Sequence, residues 1–321
     1  MSLTLISSPL QGFTDYRFRN AFNKHFGGID YFYAPYIRLS GTQEIKASYK
    51  RDILPENNAA LTVIPQVISK DADDLLLVAE FVQQMGYREL NWNLGCPYPM
   101  VSKKGMGAGL IKDKEKIVKI LELVSAKSDI ELSIKMRLGN ESPEEGEQLL
   151  PLLDEFPIKH IIIHPRLGTQ QYKGHVNLTA FERCLQLSKH PIIYNGDINS
   201  VATYRKLQGR FPDMQTWVLG RGIISDPFLP SMIKSNSLEY PTNANEIFSK
   251  FHDTLMHENS LALSGDKHLL LKMAAYWEYF ALLFTNAHKC HKKIKKAQSL
   301  RAYETTVNEI IRGEQIVGMQ D

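Results

Sequence analysis

The run Glu89-Leu90-Asn91-Trp92-Asn93-Leu94-Gly95-Cys96-Pro97, followed by Lys103-Lys104-Gly105-Met106-Gly107-Ala108-Gly109, decides how this chain is read. A short β-like run ends in a turn that carries one cysteine. A glycine-rich loop comes next, and an amphipathic helical pattern over 114–126 completes the unit. The same order repeats outward in both directions. β-Branched or aromatic runs fall at 3–7, 29–33, 61–65, 89–93, 132–136, 160–164, 191–195 and 216–219, and helical stretches such as 71–85, 143–156 and 201–211 lie between them. Strand then helix, eight times over, predicts an α/β fold closed as a (β/α)8 TIM barrel. An open doubly wound sheet is the alternative. It would want a dinucleotide fingerprint after the first strand, and Pro9-Leu10-Gln11-Gly12 is not one.

The strand pattern stops near residue 219. A turn over 220–227 leads into a helix expected to run to about residue 235, and 236–245 is rich in Ser, Asn and Pro, as a linker is. Beyond it the pattern is helical throughout. Two domains follow: a barrel over 1–235 and a helical bundle over 246–321. In the bundle, Tyr276, Trp277, Tyr279, Phe280 and Phe284 read as core rather than as a stacking platform.

Composition narrows the setting. Hydrophobic residues at 43% and charged residues at 23% are ordinary for a soluble globular protein. The cysteines Cys96, Cys184 and Cys290 are odd in number and widely spaced, which argues against a disulfide framework and for a reducing compartment. The opening residues carry no signal-peptide pattern, and no apolar run approaches the roughly 18 residues of a spanning helix. The cytoplasm is the expected location, with no membrane and no obligate protein partner. A net charge of +3 argues weakly for a polyanionic partner, but its distribution says more. Lys289, Lys292, Lys293, Lys295, Lys296 and Arg301 form a run without an acidic residue, either a solvated helix face or a footprint for phosphates.

Barrel active sites occupy the C-terminal ends of the strands. Polar residues collect there: Pro9, Gln11 and Asp15 after the first strand, Gln66 after the third, Asn93 and Cys96 after the fourth. Lys135 and Arg137 follow on the fifth, His164 and Arg166 on the sixth, Asn195, Gly196 and Asp197 on the seventh, Gly220, Arg221 and Gly222 on the eighth. Each has a plain alternative. Lys135 could point outward at a helix, His164 could be a bonded core residue, and Cys96 a small buried hydrophobe. Together they place a cation, an imidazole and two amides at one mouth. Gly196 and Gly220-Arg221-Gly222 let backbone N–H groups approach a phosphate, and the helix after Ser225-Asp226-Pro227 is expected to aim its N-terminus there. A phosphate-bearing cofactor beside a Lys and a His points to flavin mononucleotide (FMN), with Lys135 at the ring edge where negative charge collects on reduction.

On these residues the chain resembles the tRNA-dihydrouridine synthases. The matching pieces run in order from Pro9-Leu10-Gln11-Gly12-Phe13-Thr14-Asp15, through Gln66 and Asn93-Leu94-Gly95-Cys96-Pro97 with Gly105-Met106-Gly107-Ala108. They continue with Ile134-Lys135-Met136-Arg137-Leu138-Gly139, His164-Pro165-Arg166 with Tyr172-Lys173-Gly174, Asn195-Gly196-Asp197-Ile198 and Gly220-Arg221-Gly222. The Asn-x-Gly-Cys-Pro element is the specific one; the phosphate-site glycines are shared with many flavin barrels. The resemblance implies FMN-dependent reduction of the C5–C6 double bond of uridine in tRNA, with NADPH as reductant, hydride from flavin N5 to uracil C6, and Cys96 as the acid that protonates C5. It implies that Asn93 orients the uracil and that Arg137 and Arg166 lie at the substrate. It implies that Pro9, Gln66, Lys135, His164, Asn195, Asp197, Gly220 and Arg221 hold FMN. The family also grips tRNA with its C-terminal helical domain, which favours the phosphate reading of Lys289–Lys296. Lys103 and Lys104, beside the Cys96 loop, could meet phosphates around a flipped base.

Three positions depart from the family pattern: Ser8-Pro9-Leu10 for Ala-Pro-Met, Asn91 where Asp is common, and Leu167 where Thr is usual. Other functions stay open at this level. A flavin barrel acting on a small molecule would share the FMN site but would not need the basic helical tail. A tRNA-binding protein without chemistry would not need Cys96, Lys135 and His164. A metal site at His288-x-Cys290-His291 offers few ligands, and its neighbouring lysines disfavour a cation; no metal is expected.

Overall fold

The computed structural model describes residues 3–39, 41 and 44–318. The opening two residues, read above for a signal peptide, and the last three residues of the helical segment lie outside that range.

The strands are β1 (Thr4–Ser7), β2 (Tyr31–Tyr33), β3 (Val63–Ile64), β4 (Gln66–Val67), β5 (Glu89–Leu94), β6 (Glu131–Gly139), β7 (Ile158–Leu167), β8 (Ile192–Asn195) and β9 (Thr216–Leu219). They are hydrogen-bonded in the order β3-β2-β1-β9-β8-β7-β6-β5-β4, with every strand-to-strand register among the described pairs parallel. The sequence predicts eight runs, and nine strands form. The difference lies at Pro65. It has no N–H to donate, so the third run divides into β3, which pairs with β2, and β4, which pairs with β5. The Pro65 carbonyl still accepts from Asn91 N at 2.9 Å. The two ends of the sheet order are thus joined covalently through one residue, as in a TIM barrel.

Helices follow the strands: α1 (Tyr16–His25), α2 (Ala47–Ile53), α3 (Ala72–Gln84), α4 (Pro99–Ser102), α5 (Lys114–Lys127), α6 (Glu144–Leu153), α7 (Leu178–Leu187), α8 (Val201–Arg210), α9 (Gly222–Ser225) and α10 (Leu229–Ser235). Side-chain caps start several of them. Asp15, Asp71, Asp113, Asn177 and Ser200 each accept a backbone N–H in the first turn of α1, α3, α5, α7 and α8. The C-terminal helices are α11 (Ala244–Ala262), α12 (Asp266–Phe280), α13 (Ala287–Lys295) and α14 (Leu300–Gly313). Among the described residues no helix is long and apolar enough to cross a membrane.

The chain divides into two compact units. One comprises residues 31–196 and 216–218; the other comprises 1–30, 197–215 and 219–321. In the first, β5 to β8 carry the core. Ile161, Ile162 and Ile163 are all fully buried, as a strand covered on both faces requires. In the second, β1 is held by Thr4 N to Gln215 O (2.9 Å), Ser8 N to Leu219 O (2.7 Å) and Asp30 N to Leu5 O (2.8 Å).

The helical core of that second unit is aromatic. Phe248 packs edge-to-face on Trp277, Phe280 and Phe284, and Tyr276 stacks on Phe280. Tyr276, Trp277, Phe280 and Phe284 are buried, as core residues, while Tyr279 is half-buried. At its centre the Tyr303 hydroxyl accepts from Trp277 Nε1 at 2.9 Å and lies 2.7 Å from His252 Nε2. The indole can only donate, so the phenol oxygen accepts there and has a second buried partner in the imidazole. Tyr303→Phe should strand two buried polar groups and cost about 2–4 kcal/mol in urea unfolding. Leu271→Ala, at a position 60% exposed, should leave the midpoint unchanged.

Candidate active site

The cysteine turn is built first by a side chain. β5 ends at Leu94, and the Asn93 side-chain oxygen accepts from both Gly95 N (3.0 Å) and Cys96 N (2.9 Å). Two turn N–H groups are satisfied by one amide, which fixes where Cys96 leaves the strand. The glycine loop then closes on it. Ala108 N donates to Cys96 O at 3.1 Å. Gly107 has φ +56°, and a Cβ there would lie 2.7 Å from Cys96 O and 2.9 Å from Cys96 Cβ. Only glycine tolerates both the conformation and the approach.

Cys96 is half-buried and packs on the cluster of Ile68, Val101 and Met106. Tyr36 packs against the same cluster, near the Cys96 sulfur. Burial, and then the sulfur itself, push that phenol well above its ordinary range, so Tyr36 meets the thiol as a neutral group. Tyr36 escapes sequence reasoning. Its only local signal is a tyrosine shortly after β2, and the contact links residues far apart in the sequence.

Lys135 and Arg137 alternate along β6, with Lys135 in register with Asn93. Both therefore share the face of β5 that bears Asn93, and the outward reading of Lys135 fails. Burial pulls the Lys135 ammonium down to about 7; Arg137 adds to this and Cys96 opposes it. Lys135 makes no hydrogen bond or ion pair among the described residues. Gln66 links two side chains on one face of β5, with Asn93 Nδ2 donating to Gln66 Oε1 and Gln66 Nε2 donating to Asn91 Oδ1, each at 2.7 Å.

The two arginines are buried and work on backbone. Arg137 donates through Nε to Gly95 O (3.1 Å) and through Nη1 to Leu167 O (2.7 Å) and Gln171 O (2.6 Å), with the Tyr172 ring 5.3 Å away. Arg166 donates through Nη2 to Gly174 O (2.6 Å), and its Nη1 lies 3.1 Å from His164 Nε2. The guanidinium can only donate, so His164 Nε2 is the unprotonated nitrogen. Asn195 donates to Val218 O at 2.8 Å across the β8–β9 pair. Lys103 is exposed just after α4.

In the second unit, the turn after β1 and the turn after β9 start side by side, through the bond from Ser8 N to Leu219 O. The first carries Pro9 and is held from α12: Lys272 Nζ donates to Gly12 O and the Tyr276 hydroxyl to Phe13 O, both at 2.7 Å. Burial works against the Asp15 carboxylate, but Lys272 and Arg17 outweigh it and keep it below its usual range. The second carries Gly220 and Arg221, and Arg221 pairs with Asp197 at 3.2 Å. The helix expected after Pro227 does not offer its N-terminus to an anion. Asp226 is buried, pushed up to about 6 by burial; its carboxylate accepts the Phe228 amide at 3.0 Å and its backbone carbonyl the Leu229 amide at 3.1 Å. Helical backbone starts instead at Gly222, whose Cβ would lie 2.2 Å from Ile198 O.

The basic run forms α13. Lys289 and Lys293 lie near Glu314 and Glu309 of the α14 segment, at 3.9 and 3.1 Å. Lys292, Lys295 and Lys296 are exposed or half-exposed and make no ion pair among the described residues. Cys290 is buried, and no group of three metal-ligating side chains occurs among the described residues.

A sequence profile for dihydrouridine synthase matches residues 5–315. A probable tRNA-dihydrouridine synthase of Helicobacter pylori is 26% identical over 244 residues, 74% of this chain and 72% of that one. A tRNA-dihydrouridine(16) synthase of Pseudomonas putida is 27% identical over 230 residues, 69% and 70% of the two chains. Among solved structures, morphinone reductase superposes with a TM-score of 0.52 at 10% identity, over 77% of this chain and 88% of that one. 2-Naphthoyl-CoA reductase gives 0.56 at 10% identity, over 76% and 50%. These structures share the fold; the profile covers nearly the whole chain, and on that ground this enzyme belongs to the dihydrouridine synthase family.

Proposed function

We propose that this enzyme reduces the C5–C6 double bond of uridine in tRNA, with FMN as bound cofactor and NADPH as reductant. The observation that carries the reading is one shared face. Lys135 stands in register with Asn93, whose side chain fixes the turn that carries Cys96, in a chain of this family. The relatives' names supply the tRNA. The residues present fit a flavin. A buried ammonium with no partner among the described residues suits the ring edge that turns anionic on reduction. FMN, when bound, would supply the hydride that goes to uracil C6.

The chain's own residues do the rest. Cys96 gives its thiol proton to C5 as the general acid. Asn93 orients the uracil, with Arg137 and Arg166 fixing the loop backbone at the substrate and Lys103 meeting a phosphate. Pro9, Gln66, Lys135 and His164 hold the ring end of FMN. Asn195, Asp197, Gly220 and Arg221 hold its phosphate end. Residues 1–235 form the catalytic part, and 246–321 grip tRNA so that the uridine leaves its stack. The enzyme works in the cytoplasm.

The test combines a spectrum with a product assay. Purified protein should show a flavin band near about 450 nm and, with NADPH and unmodified tRNA, form dihydrouridine. Turnover on free small molecules with none on tRNA would sink the reading. Cys96→Ala should keep flavin and tRNA binding yet lose roughly 100-fold in rate or more.

Lys135→Met should loosen FMN. It should also change stability without cofactor. An ammonium held near 7, against about 10.4 when unfolded, binds fewer protons in the folded state between those values. The wild type therefore gains stability as pH rises through that window. The variant should melt higher than wild type at pH 7 and below, and the gap should close towards about pH 10.

Replacing Lys292, Lys295 and Lys296 together by Ala should weaken tRNA binding about tenfold or more and make it less steeply salt-dependent, with the melting temperature unchanged.

A further inference from the structure

A line of five buried side chains runs behind the cysteine turn, and only two of them, Gln66 and Asn93, belong to the site as described. Ser133 Oγ donates to Glu89 Oε1 at 2.7 Å, and Asn91 Nδ2 donates to Ser133 Oγ at 2.9 Å. Gln66 Nε2 donates to Asn91 Oδ1, Asn93 Nδ2 donates to Gln66 Oε1, and Asn93 Oδ1 takes the Gly95 and Cys96 amides. Asn91, Ser133 and Gln66 are fully buried; Glu89 and Asn93 are each 8% exposed.

We propose that Glu89, Ser133 and Asn91 are positioning residues that fix the orientation of the Gln66 and Asn93 amides, so that Asn93 meets the uracil as a hydrogen-bond donor only. The uracil in this statement rests on the function proposed above; the relay itself rests on the bonds just given.

An isolated carboxamide can sit either way round, since its N and O ends have the same shape. Here both ends of the line remove the choice. The Gly95 and Cys96 N–H groups can only donate, so the Asn93 atom they meet is the oxygen. The Glu89 carboxylate accepts from Ser133. Reversing any amide between them sets donor against donor or acceptor against acceptor in a buried place, and leaves groups unsatisfied.

The orientation has a chemical result. Both lone pairs of Asn93 Oδ1 are engaged and one Nδ2 hydrogen is spent on Gln66. What remains is the second Nδ2–H. It can donate to a uracil carbonyl oxygen; Asn93 has nothing left with which to accept the uracil N3–H.

Asn91→Asp tests this. The titratable groups around the line are Glu89, Tyr33, His160 and Lys159 at one end, with Lys135 and Cys96 at the other. The introduced side chain, when ionised, accepts from Gln66 but cannot donate to Ser133, whose single hydrogen then faces two carboxylates. When protonated, it accepts from Gln66 and donates to Ser133, restoring the pattern. The folded pKa of the introduced carboxyl should therefore stand above the unfolded value of about 3.9. The folded state then binds the extra proton, and stability is lost as pH rises through the window.

Relative to wild type, the Asn91→Asp melting deficit should widen from about pH 4.5 to about pH 8, and dihydrouridine formation should recover roughly tenfold or more as pH falls. Asn91→Ala should be impaired at every pH. A deficit that is flat with pH, or an Asn91→Asp variant as active as wild type throughout, would overturn the relay. If the wild type forms no dihydrouridine while the deficit still follows pH, the relay stands and the uracil reading falls.

A second pair of variants serves if Asn91→Asp prevents folding. Glu89→Gln keeps an acceptor for Ser133 and should hold kcat/KM within about threefold, whereas Glu89→Met keeps the bulk alone and should lose about tenfold or more. Equal effects of the two would also overturn the proposal.

Discussion

Two hydrogen bonds to one oxygen hold the site together. Asn93 Oδ1 takes the amides of Gly95 and Cys96, and everything near the thiol depends on that turn. The peptide that follows presents Cys96 O to Ala108, which draws in the glycine loop. The peptide before it presents Gly95 O to Arg137, which reaches on to Leu167 and Gln171. A single asparagine thus joins the ends of β5, β6 and β7. A polar side chain can have this role inside a barrel only because each of its hydrogen-bonding groups is met; an unmet one would cost about 1–3 kcal/mol.

The strands are legible in the sequence because burial on both faces leaves an unbroken apolar run, as at Ile161-Ile162-Ile163. The strand-end residues are legible because the fold places chemistry there, and Asn93 and Lys135 stand in register on one face. What the sequence hides is pairing between distant residues. Tyr36 and Cys96 pack on one apolar cluster from separate strand ends, and Ser133 reads as any small residue on a strand. Pro65 falls inside an apparent strand run, although a residue without an N–H must interrupt the ladder. The helix after Pro227 reads as an anion site because glycine turns precede it. Asp226 stands in the way, and only the folded chain shows its carboxylate already seated on the Phe228 amide.

The C-terminal helices do more than provide a basic face. Within the second unit, α12 reaches the turn after β1 through Lys272 and Tyr276, and the Phe13 ring packs edge-on against Tyr276 and Tyr279. The bonds go to the carbonyls of Gly12 and Phe13, so the turn is fixed by its backbone while Gln11 remains exposed. A composition-based boundary near residue 240 marks a change of pattern along the chain. Residues 1–30 form one compact unit with 197–215 and 219–321, on both sides of that boundary.

Arg137 and Arg166 grip the loop after β7 by the carbonyls of Leu167, Gln171 and Gly174, and by none of that loop's own polar side chains in these bonds. Every residue type offers the same carbonyl. These bonds therefore place no demand on the side chains at 167, 171 and 174. A substitution there that keeps the backbone in place leaves these anchors intact, and the loop side chain that meets an arginine is Tyr172, whose ring lies against Arg137.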